Sequence, residues 1–116
     1  MPKYVDGYVI PMKKKDRAAY KKLATLGKKV WMEHGALGYY ECIGDDFTEW
    51  GWSFPKMCKL KKDETVIFAF IIYKSKTHSD KGIARVHADP RMKIEGQMPF
   101  DMKRFSFAGF EVIVGT

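Results

Sequence analysis

Thr65-Val66-Ile67-Phe68-Ala69-Phe70-Ile71-Ile72-Tyr73 is the stretch that decides the fold. Nine residues without Gly, Pro or charge, dominated by β-branched and aromatic side chains, read as a strand. Successive side chains of a strand point to opposite faces. Val66, Phe68, Phe70 and Ile72 therefore share one face, and Ile67, Ala69, Ile71 and Tyr73 share the other. Both faces are apolar, so something must cover each of them.

Moving towards the N-terminus, residues 38–46 read as a second strand ending in the polar turn Asp45-Asp46. The connection 47–63 carries Trp50 and Trp52, and Ser53 can cap a short helix from Phe54 to Leu60, with Pro55 in its first turn. Before these, Tyr20, Leu23, Ala24, Gly27, Val30, Trp31 and His34 recur at helical spacing between lysines. Asp16 is placed to cap this long amphipathic helix and Gly35 to end it. Residues 4–12 read as the first strand, with Pro11 expected to terminate it. Towards the C-terminus, residues 79–88 read as a shorter helix that stops before Asp89-Pro90. Phe105–Val114 reads as the last strand.

The order β-α-β-(short α)-β-α-β is the split βαβ, ferredoxin-like arrangement: an α+β fold with a four-stranded antiparallel sheet and helices on one face. Two helices cover one face only. A bare face bearing Thr65–Tyr73 residues would be a large apolar patch, and a symmetric second copy is the simplest cover. The expected assembly is thus a homodimer paired sheet to sheet.

Extending the alternation to the other strands assigns Val5, Val9, Cys42, Ala108, Phe110, Val112 and Val114 to the helix side. The opposite, dimer-facing side then holds Asp6, Glu41 and Glu111 among Tyr4, Tyr8, Ile10, Tyr39, Ile43 and Phe107. Carboxylates beside tyrosines in a partly dry space have raised pKa values, a property used by proton-transfer sites. Asp6, Glu41 and Glu111 are accordingly the candidate catalytic groups, with Tyr8 and Tyr39 as ligand contacts. The competing reading is a hydrogen-bonded interface network without chemistry. Arg91 and Arg104, in the irregular stretch containing Asp89-Pro90 and Pro99-Phe100-Asp101, could clamp an anionic ligand. They could equally pair with Asp89 and Asp101 to fix the loop.

Composition narrows the classes. The chain has 116 residues and a net charge of +7, with 46% hydrophobic and 15% aromatic residues, as expected of one folded domain spanning 1–116. Lysines fall in small groups such as Lys13–Lys15 and Lys28-Lys29, mostly on solvated faces. No run approaches the roughly 18 apolar residues of a membrane span, and Met1-Pro2-Lys3-Tyr4 has no signal core. The expected compartment is therefore the cytoplasm. Cys42, read as a small buried hydrophobe, and Cys58 have no metal or disulfide spacing. His34, His78 and His87 share no ligand spacing, so neither a metal nor a cofactor is expected. No phosphate-binding glycine loop is present.

Phe68-Ala69-Phe70-Ile71-Ile72-Tyr73 overlaps the later part of an RNA-recognition signature, which lies on the third strand of this topology. Val66 and Ile67 replace the basic residue and glycine that open it. The carboxylates assigned to the same face would repel phosphate, so nucleic acid is disfavoured as a partner.

Several segments together carry a resemblance: Tyr4-Val5-Asp6-Gly7, Glu41 with Asp45-Asp46, Asp63-Glu64-Thr65-Val66, Asp89-Pro90-Arg91-Met92, Pro99-Phe100-Asp101, and Arg104 with Gly109-Phe110. From Tyr4 to about Val114 the chain resembles the YbaA-like family of small bacterial proteins, grouped as a domain of unknown function. That family is similar to the dimeric α/β barrel superfamily, in which two ferredoxin-like sheets pack face to face. The superfamily includes cofactor-independent monooxygenases, haem-dependent enzymes and ligand-sensing domains, whereas the family itself brings no activity. The resemblance therefore implies a dimeric α/β barrel. The expected function is binding of a small organic molecule, with or without catalysis. The alternatives are a non-catalytic interaction module and, third, an RNA-binding sheet.

Overall fold

The computed structural model describes residues 3–48, 50–94 and 96–115. Met1 and Pro2, on which the expectation of a leader-free N-terminus partly rests, lie outside the described residues. Four strands, β1 (Tyr4–Lys13), β2 (Gly38–Ile43), β3 (Glu64–Tyr73) and β4 (Ser106–Glu111), form one sheet in the order β2-β3-β1-β4. Every neighbouring pair is antiparallel. The helices are α1 (Arg17–Glu33), the single turn α2 (Phe54–Met57) and α3 (Lys76–Ala88). This is the ferredoxin-like α+β fold.

Caps explain most element ends. The Ser53 hydroxyl accepts from the Lys56 amide at the start of α2, which is shorter than the sequence suggests. The Ser75 hydroxyl accepts from the His78 amide, which starts α3 three residues earlier than the apolar spacing indicates. Asp16 stands at the N-cap of α1, but its side chain makes no capping bond; a 3₁₀ turn over Lys14–Asp16 feeds the helix instead. Gly35, at φ +105°, supplies the left-handed residue just beyond α1.

Pro11 does not end β1, which runs on opposite Val66 and Thr65 to Lys13. The pairing with β4 stops at Val9. The Pro11 carbonyl points to that vacated edge, where it accepts from the Asp101 amide. In an antiparallel strand the N–H and C=O of one residue point the same way, so the missing proline N–H costs β3 no hydrogen bond.

The largest correction concerns the faces of the sheet, which are exchanged relative to the sequence reading. Ile10, Met12, Ile67 and Ala69 form a core with Tyr20 of α1, joined by Tyr8, Ile43, Phe100 and Phe105. A second cluster joins Ala36, Ile71 and Tyr73 to Tyr4, Trp31 and Tyr39. Asp6, Tyr8, Tyr39 and Glu41 thus lie under the helices, not on the dimer-facing side. The helix-free side carries Val5, Val9, Tyr40, Cys42, Phe68, Phe70, Ala108 and Phe110, paired across the strands. The physical reason is hydrogen bonding. A buried carboxylate needs donors, and here those donors come from α1, α3 and β2. Cys42, expected to be buried, is exposed on the helix-free side. On that side Tyr40 is 53% exposed, Phe68 46% and Phe110 57%.

Candidate functional site

The site lies between α1, the covered face of the sheet, and the segment 92–105. Glu41 is at its centre. The Tyr20 hydroxyl donates to Glu41 Oε1 at 2.7 Å, and the Tyr39 hydroxyl donates to Oε2 at 2.6 Å. Tyr39 reaches the carboxylate of the residue two places along β2 because both side chains lie on the same face of that strand. Tyr20 reaches it from the first turn of α1.

A glycine makes room for this arrangement. A Cβ added to Gly27 would come within 2.7 Å of the Tyr39 hydroxyl, so that the helix or the phenol would have to shift. Gly in a helix interior costs about 1 kcal/mol relative to Ala, and here it lets α1 close over the Tyr39–Glu41 pair.

The electrostatics keep the phenols protonated. Burial first, and then the Glu41 charge, push the Tyr20 and Tyr39 hydroxyls well above the ordinary tyrosine value. Tyr8 is raised by burial and then by the charges of Asp6, Tyr73 and Glu41, which places its hydroxyl under the influence of both carboxylates. These phenols are hydrogen-bond donors throughout the physiological range.

Behind Glu41 is a cavity of about 160 Å³. Its walls are mainly apolar, from Ile10, Leu23, Ile71, Met98, Phe100 and Phe105, with Glu41, Trp31 and the tyrosines Tyr8, Tyr20 and Tyr39 as the residues that bring polar atoms. In front of Glu41, between α1 and β2, a larger groove of about 410 Å³ shares the Tyr20, Tyr39 and Glu41 wall. The two phenols and the carboxylate are therefore common to both hollows, the inner cavity and the outer groove.

Asp6 is 1% exposed and accepts at 2.8 Å from the hydroxyl of Ser79 on α3. Burial raises its carboxyl above the ordinary value; the Ser79 bond opposes this and the Asp80 charge adds to it. Close by, Tyr73 is raised to about 12, first by burial and then by Asp6. The Trp31 indole N–H and the Tyr73 hydroxyl are buried close enough for Trp31 to temper the Tyr73 shift, and neither has a partner in full hydrogen-bond geometry among the described residues.

The other sequence-selected residues are elsewhere. Glu111 pairs with Tyr4 at the far end of β4, exposed and outside both hollows. Arg91 holds Asp89 through Nε at 3.0 Å and reaches Glu33 at 2.6 Å. His34 Nε2 lies 2.9 Å from the second oxygen of Asp89, and the Arg91 bonds, then His34, hold the Asp89 carboxyl below its usual range. Arg104 bonds Asp101 through Nε at 2.6 Å, pairs with the buried Glu64, and donates to the Lys59 carbonyl at 2.9 Å. Both guanidiniums tie loops to the body of the domain. Among the described residues no group of three His, Cys, Asp or Glu side chains could hold a metal ion.

Sequence reasoning missed Tyr20, Gly27, Trp31 and Ser79 as parts of this region. The first three had been read only as the apolar stripe of α1. One signal was available: Gly27 is a costly residue in the middle of a helix, and a costly residue asks for a close neighbour.

A four-stranded antiparallel sheet with its helices on one face defines a ferredoxin-like α+β protein, and solved structures of that class match. The chain superposes over its full length on a dimeric ferredoxin-like protein from an uncultured marine organism, with a TM-score of 0.60 at 13% identity, covering all of that chain. It also matches a NIPSNAP family protein of unknown function from Agrobacterium tumefaciens, with a TM-score of 0.57 at 16% identity over 96% of this chain and 88% of that one. At these identities the likeness is one of fold. Residues 3–102 match the family of proteins of unknown function DUF1428, and the chain belongs to that family. It is 37% identical over 114 residues to the uncharacterized protein YbaA of Escherichia coli K12, covering 97% of each chain, and equally so to YbaA of Shigella flexneri.

Proposed function

We propose that this chain binds a small, mostly apolar organic molecule in the inner cavity of each protomer of a homodimer. The observation that carries the reading is Glu41. Its carboxylate is fixed by two tyrosine hydroxyls at the wall of an apolar cavity of about 160 Å³. Each carboxylate oxygen accepts only one of these bonds and can accept another. The preferred ligand therefore has an apolar body and one hydroxyl or N–H donor directed at Glu41. Small-molecule sites commonly have this make-up of mainly apolar walls with a few placed polar groups.

Tyr8 and Tyr39, proposed as ligand contacts, both line the cavity, with Glu41 as the central group. Should the ligand be turned over, Glu41 is the group placed to take its proton. Asp6 would support the site through Tyr8 and Tyr73. Glu111, Arg91 and Arg104 have no part in it.

The test is protein-observed NMR with a panel of alkylphenols such as 4-propylphenol. The expected result is saturable shifts at Tyr8, Trp31 and Ile71, weakened at least fivefold by Glu41→Gln. If no member of the panel shifts these residues, the reading fails.

The assembly is part of the proposal. The exposed Tyr40, Phe68 and Phe110 of the helix-free side, together with Phe70 stacked on Tyr40 at 4.9 Å, make a continuous apolar surface of the kind that pairs with a second copy. A dimeric relative in fold is consistent with this. Two unpaired cysteines suit the cytoplasm as the compartment, and we treat residues 1–116 as one domain.

The RNA-binding alternative changes footing. The repulsive carboxylates, which counted against it, are on the other face. What now disfavours it is the helix-free side itself, where Val5, Val9, Phe68, Phe70, Ala108 and Phe110 make the area mainly apolar, with Lys13 only at the end of β1.

A further inference from the structure

The outer groove has a different chemistry from the inner cavity, and we infer that it is a second site, one that binds an organic monoanion with a short apolar body. Its floor is Met12, Ile43 and Ile67, and its rim on α1 carries Arg17, Lys21 and Lys28. At 100° per residue these three positions fall on one stripe of the helix, within about 40° of each other. Arg17 and Lys21 are one turn apart, about 6 Å along the axis, close enough to hold one carboxylate between them. Lys28 adds its positive field further along the groove.

Lys76 on α3 forms an ion pair with Asp80 at 3.1 Å. Among the described residues, Arg17, Lys21 and Lys28 make no ion pair. The acid on the groove's lining is Glu41, which accepts from Tyr20 and Tyr39 and keeps its negative charge. Three cations against the single carboxylate of Glu41 therefore leave a net positive border around a trough of about 410 Å³ with an apolar floor. A carboxylate between Arg17 and Lys21, with an alkyl or aryl body on Met12, Ile43 and Ile67, matches both features. Thr25, on the same wall, offers a further hydroxyl, although that hydroxyl also donates to the Lys21 carbonyl at 2.7 Å.

The groove adjoins the inner cavity at Tyr20, Tyr39 and Glu41, and the test is chosen to tell the two apart. The test compares octanoate with octan-1-ol, equal in body and different in charge, by NMR titration at low and high salt. Octanoate is expected to shift Ile43 and Ile67, to bind about tenfold or more tightly than the alcohol, and to lose affinity as salt screens the rim. Lys21→Glu combined with Arg17→Glu, both at exposed positions, is expected to abolish the preference while leaving the fold and the alkylphenol shifts at Tyr8 unchanged. Equal binding of acid and alcohol, no binding of either, or octanoate shifts confined to Tyr8 and Ile71 would each overturn the proposal. Retained octanoate binding in the double variant would overturn it as well.

Discussion

The two faces of the sheet were built for different neighbours. The covered face mixes apolar residues with Asp6, Tyr8, Tyr39, Glu41 and Tyr73, and the chain itself supplies Ser79, Tyr20 and Trp31 to meet them. On its central strands the helix-free face is apolar from Val5 to Pro11 and from Val66 to Ile72, with Gly7 between Val5 and Val9 and the charged pair Lys13 and Glu64 at the end. A polar group can be buried where the same chain fixes its partner, because the partner's position is then set by the fold. A face awaiting a second molecule is safer when apolar, since apolar contact tolerates small errors of register and leaves no charge stranded.

That contrast can be broken most severely on the helix-free face. Phe68→Glu should shift the protein to monomer, weakening self-association by a hundredfold or more, as expected for a charge placed at the centre of an apolar interface. Sedimentation equilibrium reads this directly, and an unchanged association constant would mean the face is not the interface. Circular dichroism should remain that of the parent protein.

On the covered face the larger effect is expected at Glu41. Glu41→Ala leaves the Tyr20 and Tyr39 hydroxyls without their acceptor, at a cost of about 1–3 kcal/mol for each buried donor so stranded. Glu41→Gln retains an acceptor and should cost less. Urea denaturation distinguishes the two, and equal losses would show that the hydroxyls find other partners.

Gly27→Ala sharpens the contrast further. On helix propensity alone it should stabilise α1 by about 1 kcal/mol. Because its Cβ would meet the Tyr39 hydroxyl at 2.7 Å, the variant should instead lose stability and displace Tyr39 from Glu41. A stabilised variant with an unmoved Tyr39 would show that the helix yields easily at that point.

The smallest effect is expected at Asp6. Its folded pKa is raised above the ordinary 3.8, chiefly by burial, so the native state holds this proton more tightly than the unfolded chain. Stability therefore declines as pH rises from the ordinary carboxylate value through the raised one, and is recovered on acidification. Asp6→Asn removes that dependence, while its amide oxygen can still accept from Ser79. At neutral pH the variant should melt at or above the parent's temperature, with the advantage fading near pH 4. A variant less stable at neutral pH would mean that the Asp6 charge is stabilising, through a contact stronger than its burial.

How much of this was legible beforehand follows from what each pattern encodes. Alternation in Thr65–Tyr73 and the lysine-spaced apolar stripe of α1 specify which elements form and which residues share a side. They do not specify which side the helices take. Both sides of β3 are apolar, so the pattern is symmetric with respect to that choice, and assigning Val5 and Val9 to the helices followed the ordinary preference for apolar burial. Asp6, Tyr8, Glu41 and Tyr39 were correctly grouped on one face for the same reason that the face was misassigned: period two fixes relative orientation only. Glu111 was grouped with them by parity but lies at a strand end beyond the cavity, because parity carries no information about distance along the sheet.

The sequence by itself determined the strands and helices, the ferredoxin-like order, and the presence of one apolar face in excess of what two helices can cover. These are consequences of local periodicity and of counting covers against faces. Only the tertiary structure decided that Tyr20 of α1 and Tyr39 of β2 meet at Glu41, that Ser79 of α3 meets Asp6, and that Gly27 leaves space for a hydroxyl. Tyr39 and Glu41 are neighbours on one strand face, but the Tyr20–Glu41 and Ser79–Asp6 pairings join residues 21 and 73 positions apart, and such distances are set by how helices pack on the sheet, which no local pattern encodes.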